Sequence, residues 1–530
     1  MDENQKKDRY KLIVVLLSAL ICINVVITVI LSVNLAKDNK KDKPVVKQGE
    51  SLVAEKIPNT ENVTTKANDG KQDTSEEQKT SEEQKTSEEQ KKPEEQKKPE
   101  EKPTSKQPEP TKDNSRDNGD LSDDNNDDWL HTDGSRIYDK TGKQVWLTGV
   151  NWFGYNTGTN TFDGLWACDL NSSIDAIADH GFNLLRVPFS AELILKWKKG
   201  EYPDANFNHA TNDYLVDMNS LEIWDYIVKR CRENGLKIMI DIHSAKTDSM
   251  GHMTNMWYTD EISTEDFQEA LCWMAERYVN NDTIIAYDLK NEPHGKPHEN
   301  DKAIWNDSRE KNNWKYVAEV TAKKVLDINP NVLIMVEGIE IYPMDIDTNG
   351  DYSSTDEKDY YYNWWGGNLR GVADYPIDLG KYQSQLVYSP HDYGPTVYQQ
   401  PWFKKDYNYD TLMEDCWNDN WLYIAEDDIA PLLIGEWGGF MAEPNITWMT
   451  YMRQLIDEYK LNHTFWCFNS NSGDTGGLVK DDFTTWDEEK YNFVKEVLWQ
   501  ENGKFVGLDH KISLGKSGNG ITLSDAKGLR

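Results

Sequence analysis

No phenylalanine, tyrosine or tryptophan occurs between Leu35 and Trp129, and all 20 tryptophans of this 530-residue chain lie at or after Trp129. A stretch without aromatic residues cannot bury enough apolar surface to offset the entropy of ordering it, so a packed core is excluded there. Excess positive charge is also missing. The formal net charge is −34, which argues against nucleic acid, whose phosphates demand Lys and Arg. Cysteine is sparse, with Cys22, Cys168, Cys231, Cys272, Cys416 and Cys467 and no C-x-x-C spacing, so neither a zinc site nor a disulfide framework is expected. Cys231, Cys272 and Cys416 fall in predicted helices, where unpaired cysteine behaves as a small buried hydrophobe. No GxGxxG follows a strand and no dense His/Asp cluster occurs, so no cofactor and no metal are expected. A calcium site among Asp351, Asp356 and Asp359 is less favoured than an exposed acidic loop.

What is present sorts into five segments. Residues 1–11 carry Lys6, Lys7, Arg9 and Lys11 and read as a cytoplasmic tail. Leu12 through Ala36 is uncharged and rich in Leu, Ile and Val, long enough to span a hydrocarbon core of about 30 Å. It lacks a clear cleavage site, so a retained, single-pass transmembrane signal anchor is expected, with secretion as the outcome if it is cleaved. Residues 37–127 form a disordered linker. Thr74-Ser75-Glu76-Glu77-Gln78-Lys79 repeats twice more and then degenerates around Pro93 and Pro99. Its six-residue period fits neither a heptad nor a solenoid. Residues 128–508 carry the folded domain, and 509–530 read as a frayed C-terminal tail.

Within 128–508, Leu130–Asp139 contains an Asp-Gly turn that predicts a hairpin able to plug a barrel. Short apolar strands then alternate with amphipathic stretches. Strands are predicted over residues 144–152, 183–188, 237–243, 284–292, 332–337, 386–391, 432–436 and 464–468. Leu221, Trp224, Ile227, Val228 and Cys231 recur at helical spacing, as do Phe267, Leu271, Met274, Ala275 and Tyr278. Eight strands separated by helices predict an α/β fold, a (β/α)8 TIM barrel, over an open sheet.

Two of these strands end abruptly in a glutamate: Leu289-Lys290-Asn291-Glu292-Pro293 and Leu433-Ile434-Gly435-Glu436-Trp437. A parallel barrel builds its site from the C-terminal tips of its strands. Two carboxylates facing one cleft are the minimum equipment for cutting a glycosidic bond. Arg186, His243, Asn291, Glu337, His391, Tyr393 and Trp466 fall at or near the other tips. Retention of anomeric configuration needs one carboxyl to protonate the leaving oxygen and another, about 5 Å away, to attack the anomeric carbon. Arg186 and Tyr393 are candidates to hold the attacker ionised. The acid is expected to have a raised pKa, through partial desolvation and the neighbouring negative charge. Asn291 would donate to the sugar 2-hydroxyl. Trp152, Trp257, Trp364, Trp365, Trp402, Trp437 and Trp466 fall at strand ends or in the following loops, where a flat ring can stack on a pyranose face. Trp224, Trp273 and Trp448 read as helix-borne core.

At these residues the chain resembles the cellulases of glycoside hydrolase family 5, within clan A. The motifs are Arg186-Val187-Pro188-Phe189-Ser190, Leu289-Lys290-Asn291-Glu292-Pro293-His294, Tyr388-Ser389-Pro390-His391-Asp392-Tyr393 and Gly435-Glu436-Trp437-Gly438. Gly149-Val150-Asn151-Trp152-Phe153-Gly154, Trp364-Trp365-Gly366-Gly367-Asn368-Leu369 and Ser472-Gly473-Asp474-Thr475-Gly476-Gly477 resemble the bacterial endo-β-1,4-glucanase branch. The resemblance implies Glu292 as acid/base and Glu436 as nucleophile. It implies Arg186, His243, Asn291, His391, Tyr393 and Trp466 around the cleavage point, with Trp152 added as a substrate platform. The expected partners are a β-glucan polysaccharide and, through the N-terminal segment, a membrane; a monomer is expected. Mannanase, xyloglucanase and mixed-linkage glucanase use the same machinery, and a catalytically dead carbohydrate-binding barrel on a stalk is the alternative of a different class.

Overall fold

The computed structural model describes residues 127–529. The membrane anchor expected over residues 12–36 and the linker up to residue 126 lie outside the described residues. Among the described residues, no helix is long and apolar enough to cross a membrane.

A hairpin of β1 (Leu130–Asp133) and β2 (Arg136–Asp139) opens the domain. It lies at the N-terminal ends of the barrel strands, since Gln385 Nε2, just before a barrel strand, donates to Leu130 O at 3.2 Å. The barrel follows: β3 (Thr148–Asn151), β4 (Leu184–Ser190), β5 (Lys237–Ser244), β6 (Ile284–Asp288) and β7 (Leu333–Val336). After an excursion of β8 (Ile341–Pro343) and β9 (Tyr360–Tyr362) come β10 (Leu386–Tyr388), β11 (Leu433–Trp437) and β12 (Asn462–Phe465).

The eight barrel strands are all parallel, in the order β10-β7-β6-β5-β4-β3-β12-β11. Parallel bridges Tyr388–Leu432 and His391–Glu436 join the two ends and close the cylinder. Both faces of each strand are covered, so runs such as Leu184–Ser190 are buried throughout, as expected of a parallel sheet wrapped in helices. The helix Ser220–Arg232 shows how a covering layer forms. Asn219 and Glu222 make a reciprocal capping box, basic residues fill the last turn, and Leu221, Trp224, Ile227, Val228 and Cys231 face inward.

All eight expected strands are present, with shifted ends. The strand expected over residues 284–292 stops at Asp288, although Leu289 N still donates to Met335 O at 3.3 Å and Asn291 N to Ile242 O at 3.0 Å before Glu292. The strand expected over 144–152 starts only at Thr148, and that expected over 464–468 instead spans Asn462–Phe465.

The tail expected to fray after Leu508 is instead packed. Leu514 and Leu523 are buried, and β15 (Gly520–Ile521) pairs with β14 (Lys504–Val506), which also pairs with β13 (Gln500–Glu501). The polar composition of the tail conceals its anchors, which are ion pairs. His510 bridges Asp128 at 2.6 Å and Asp139 at 3.0 Å, while the buried Lys237 ammonium meets Asp128 at 2.6 Å and Asp509 at 3.4 Å. The five cysteines among the described residues are free.

Candidate active site

Arg186, near the centre of β4, organises the cleft floor. Its side chain is fully buried, a position that is costly unless its donors are met by opposite charge. Nε donates to Asp288 Oδ2 at 2.9 Å, and Nη1 donates to Glu436 Oε1 at 2.8 Å and Asn151 Oδ1 at 3.0 Å. Nη2 reaches Asn291 Oδ1 at 3.1 Å and both Glu337 Oε1 and Asp241 Oδ2 at 3.2 Å. Burial works against the charge, but four carboxylates outweigh it and hold Arg186 well above its ordinary pKa.

Glu436 ends β11 with its side chain nearly buried. Besides Arg186 it accepts from Tyr393 Oη at 2.6 Å on Oε2. A guanidinium on one oxygen and a phenol on the other fix the orientation of the carboxylate. Gly435 beside it has no room for a side chain, since a Cβ there would lie 2.6 Å from His391 Nε2.

Glu292 stands opposite. It follows β6 in a left-handed backbone conformation, φ 51°, which for a non-glycine residue costs free energy and persists only where neighbours enforce it. Its Oε1 accepts from His391 Nδ1 at 2.9 Å, and Glu436 Oε2 is 3.7 Å from the same nitrogen. An oxygen of each glutamate and a His391 ring nitrogen all lie within 4.8 Å of one another. An approach this close of one oxygen from each glutamate is in keeping with the roughly 5 Å of a double-displacement site.

The titration of Glu292 differs from the expectation of a raised pKa. Burial does push it upward, but the His391 hydrogen bond and charge outweigh burial and hold it down at about 2. His391 in turn, although fully buried, is held well above its usual range by Glu337, Glu436 and Glu292. Both shifts favour the charged forms of the Glu292–His391 pair.

His243, at the tip of β5, pairs Nδ1 with Asp241 Oδ2 at 2.6 Å. Burial pushes its pKa down to about 3, so the ring is neutral and Nε2 is left as an acceptor. Trp466 stacks on the His243 ring at 5.6 Å and on Phe153 at 5.4 Å. Trp365, 39% exposed, stacks on His294 at 3.8 Å.

Trp152 is a correction. It is fully buried, stacked on Phe162 at 4.1 Å and packed against Phe468 at 4.6 Å, so neither face is open to a sugar. The alternation along β3 turns it behind the cleft wall, and its indole N–H is already spent on Asp163 O. Trp257, Trp402 and Trp437 are likewise core residues, and Trp364 is largely covered, edge-on to Tyr393. Three residues that strand-tip reasoning passed over belong to the site: Asn151, Asp241 and Asp288. The signal was an isolated Asp inside an otherwise apolar strand, which must have a buried partner. The carboxylates of Asp351, Asp356 and Asp359 accept from their own loop, at Ser353 N, Lys358 N and Ser354 Oγ.

A closed (β/α)8 barrel carrying two carboxylates close together at its strand tips, one buried and one partly exposed, defines a retaining glycoside hydrolase. Comparison with known proteins makes the assignment specific. The cellulase model of glycosyl hydrolase family 5 matches residues 138–472, and the chain belongs to that family. Endoglucanase G of Acetivibrio thermocellus is 49% identical over 429 residues, covering 75% of this chain and 76% of that protein. Endoglucanase B of the same organism is 48% identical over 432 residues, with the same coverage. Among solved structures, an endocellulase from Pyrococcus horikoshii superimposes with a TM-score of 0.62 at 32% identity, covering 70% of this chain and 98% of that one.

Proposed function

We propose that the protein is an endo-β-1,4-glucanase that hydrolyses internal bonds of cellulose or related β-glucans with retention, Glu436 acting as nucleophile and Glu292 as acid/base. The separation within 4.8 Å of the two carboxylates carries the reading. Glu436, oriented by Arg186 and Tyr393, attacks the anomeric carbon. As that bond forms, the glycosidic bond breaks, and the leaving oxygen takes the proton held by Glu292 and His391. Water then attacks the glycosyl ester from the vacated side. It returns a proton to the same pair and frees Glu436. Asn291, fixed through its carbonyl oxygen on Arg186, keeps its amide N–H groups for the substrate 2-hydroxyl. Trp466 and Trp365 offer flat faces to neighbouring glucose units, and His243 accepts a sugar hydroxyl through Nε2.

The anchor expected over residues 12–36 would place this domain outside the cell on a long tether, acting on soluble or already loosened chains. Release of reducing ends from carboxymethylcellulose, barley β-glucan, xyloglucan and mannan, measured side by side with loss of viscosity, tests the substrate class. A rapid fall in viscosity on carboxymethylcellulose is expected, and activity confined to mannan would contradict it.

A further inference from the structure

Glu337 ends β7, is fully buried and lies beneath the acid/base pair without facing the cleft. Its two oxygens have different tasks. Oε2 accepts from the Glu292 backbone N–H at 2.7 Å, at the residue whose left-handed conformation needs support. Oε1 lies 3.2 Å from His391 Nε2 and 3.2 Å from Arg186 Nη2. One carboxylate thus touches the backbone of Glu292, the far side of the imidazole that hydrogen-bonds the Glu292 side chain, and the guanidinium that holds Glu436. The chain also keeps space for it. Gly366 has φ +70°, and a Cβ there would come within 2.3 Å of Glu337 Oε2.

We propose that Glu337 is a positioning residue for the acid/base step, clamping the Glu292 backbone with one oxygen and retaining the shared proton on the His391–Glu292 pair with the other. The inference rests on the reading of Glu292 as the acid/base. In the first step the His391 Nδ1–H bond breaks as the Glu292 carboxyl takes the proton and passes it to the glycosidic oxygen. In the second, water supplies a proton that returns along the same path, so no further reactant is needed. His391 is faced by Glu337 from β7, Glu292 and Asp288 from β6 and its extension, Glu436 from β11, Asp241 from β5 and Arg186 from β4. Of the carboxylates, Glu337 is the one at 3.2 Å from Nε2, the side away from the cleft. Burial pushes Glu337 upward and the His391 charge pulls it back, while Glu337, Glu436 and Glu292 raise His391, so Glu337 and His391 titrate as one coupled pair.

The test is Glu337→Gln in the full chain, which keeps size and an acceptor for the Glu292 N–H but removes the ionisable carboxyl. On cellopentaose, kcat/KM should fall by about thirtyfold and the alkaline limb of its pH profile should move down by about one unit. The first step on 2,4-dinitrophenyl β-cellobioside, whose leaving group needs no proton, should stay within about threefold of wild type. Glu337→Asp should restore the alkaline limb. Parallel loss on both substrates with an unmoved limb would overturn the proposal and leave Glu337 merely structural. Should the variants not fold, nitrogen NMR of the His391 ring in the wild-type protein decides: both nitrogens are expected to stay protonated at pH 7.5, and a neutral ring at pH 6.5 would overturn the clamp. Failure of the underlying reading is distinguishable, because Glu292→Ala would then keep its turnover on cellopentaose whatever happens at position 337.

Discussion

His391 Nδ1 donates to Glu292 at 2.9 Å and lies 3.7 Å from Glu436, so one imidazole hydrogen-bonds one glutamate and stands beside the other. A single proton on that ring is attracted by both carboxylates.

Glu436→Gln should abolish turnover on every substrate. Glu292→Ala should lower kcat on cellopentaose by about a hundredfold or more, yet leave a fast first step on dinitrophenyl cellobioside that azide rescues as glycosyl azide. Wild-type turnover by Glu436→Gln would end the assignment, and a failure of azide to rescue would reverse the division of roles.

Tyr393→Phe removes a hydrogen bond of 2.6 Å to the nucleophile. A bond to a charged group contributes about 1.5–3 kcal/mol, so kcat/KM should drop roughly ten- to hundredfold with the fold intact. Equal kinetics for the two forms would mean that Arg186 alone orients Glu436.

Trp152 and Trp466 should separate by the kind of damage they cause. Emptying the buried Trp152 site with Ala should destabilise the domain by about 3–5 kcal/mol, read by denaturant unfolding. Trp466→Ala should chiefly raise KM on cellopentaose. A Trp152→Ala domain of wild-type stability with a raised KM would restore Trp152 to the cleft.

The layout of the barrel was legible because buried parallel strands are apolar runs of the right length, and each ends where a polar residue appears. Glu292, Glu436, Arg186 and His391 could be read from those ends. What stayed hidden depends on the direction in which a side chain points and on partners distant in sequence. Trp152 occupies a strand tip but faces the core. Asp241 and Asp288 make sense only once Arg186 is seen between them. Glu337 could be placed at a tip, but its contacts with Glu292 and His391 arise from three separate strands. The tail after Leu508 looked unstructured because its anchors are ion pairs, which leave no apolar periodicity.

The ion pairs under the barrel make a pH-dependent prediction. Hydrogen bonds to Asp128 and Asp139 raise His510; burial opposes both carboxylates, but His510 and Lys237 lower Asp128, and Thr141, the Lys143 N–H and His510 lower Asp139. A raised histidine stabilises fully below its unfolded pKa and loses that contribution as pH rises through the folded value. Lowered carboxylates stabilise above their unfolded pKa and lose it as pH falls. The network should therefore contribute most between about pH 4 and 6.5. His510→Gln should lower Tm most near pH 5.5, with a smaller loss at pH 8.5. An equal loss at both values would mean that only packing is involved.

The central claim is that two carboxylates at this spacing cut by double displacement. Proton NMR of cellopentaose hydrolysis, recorded before mutarotation equilibrates the products, tests it most directly. The account predicts that the new reducing ends appear first as the β-anomer. Initial accumulation of the α-anomer would mean inversion and would contradict a covalent intermediate on Glu436.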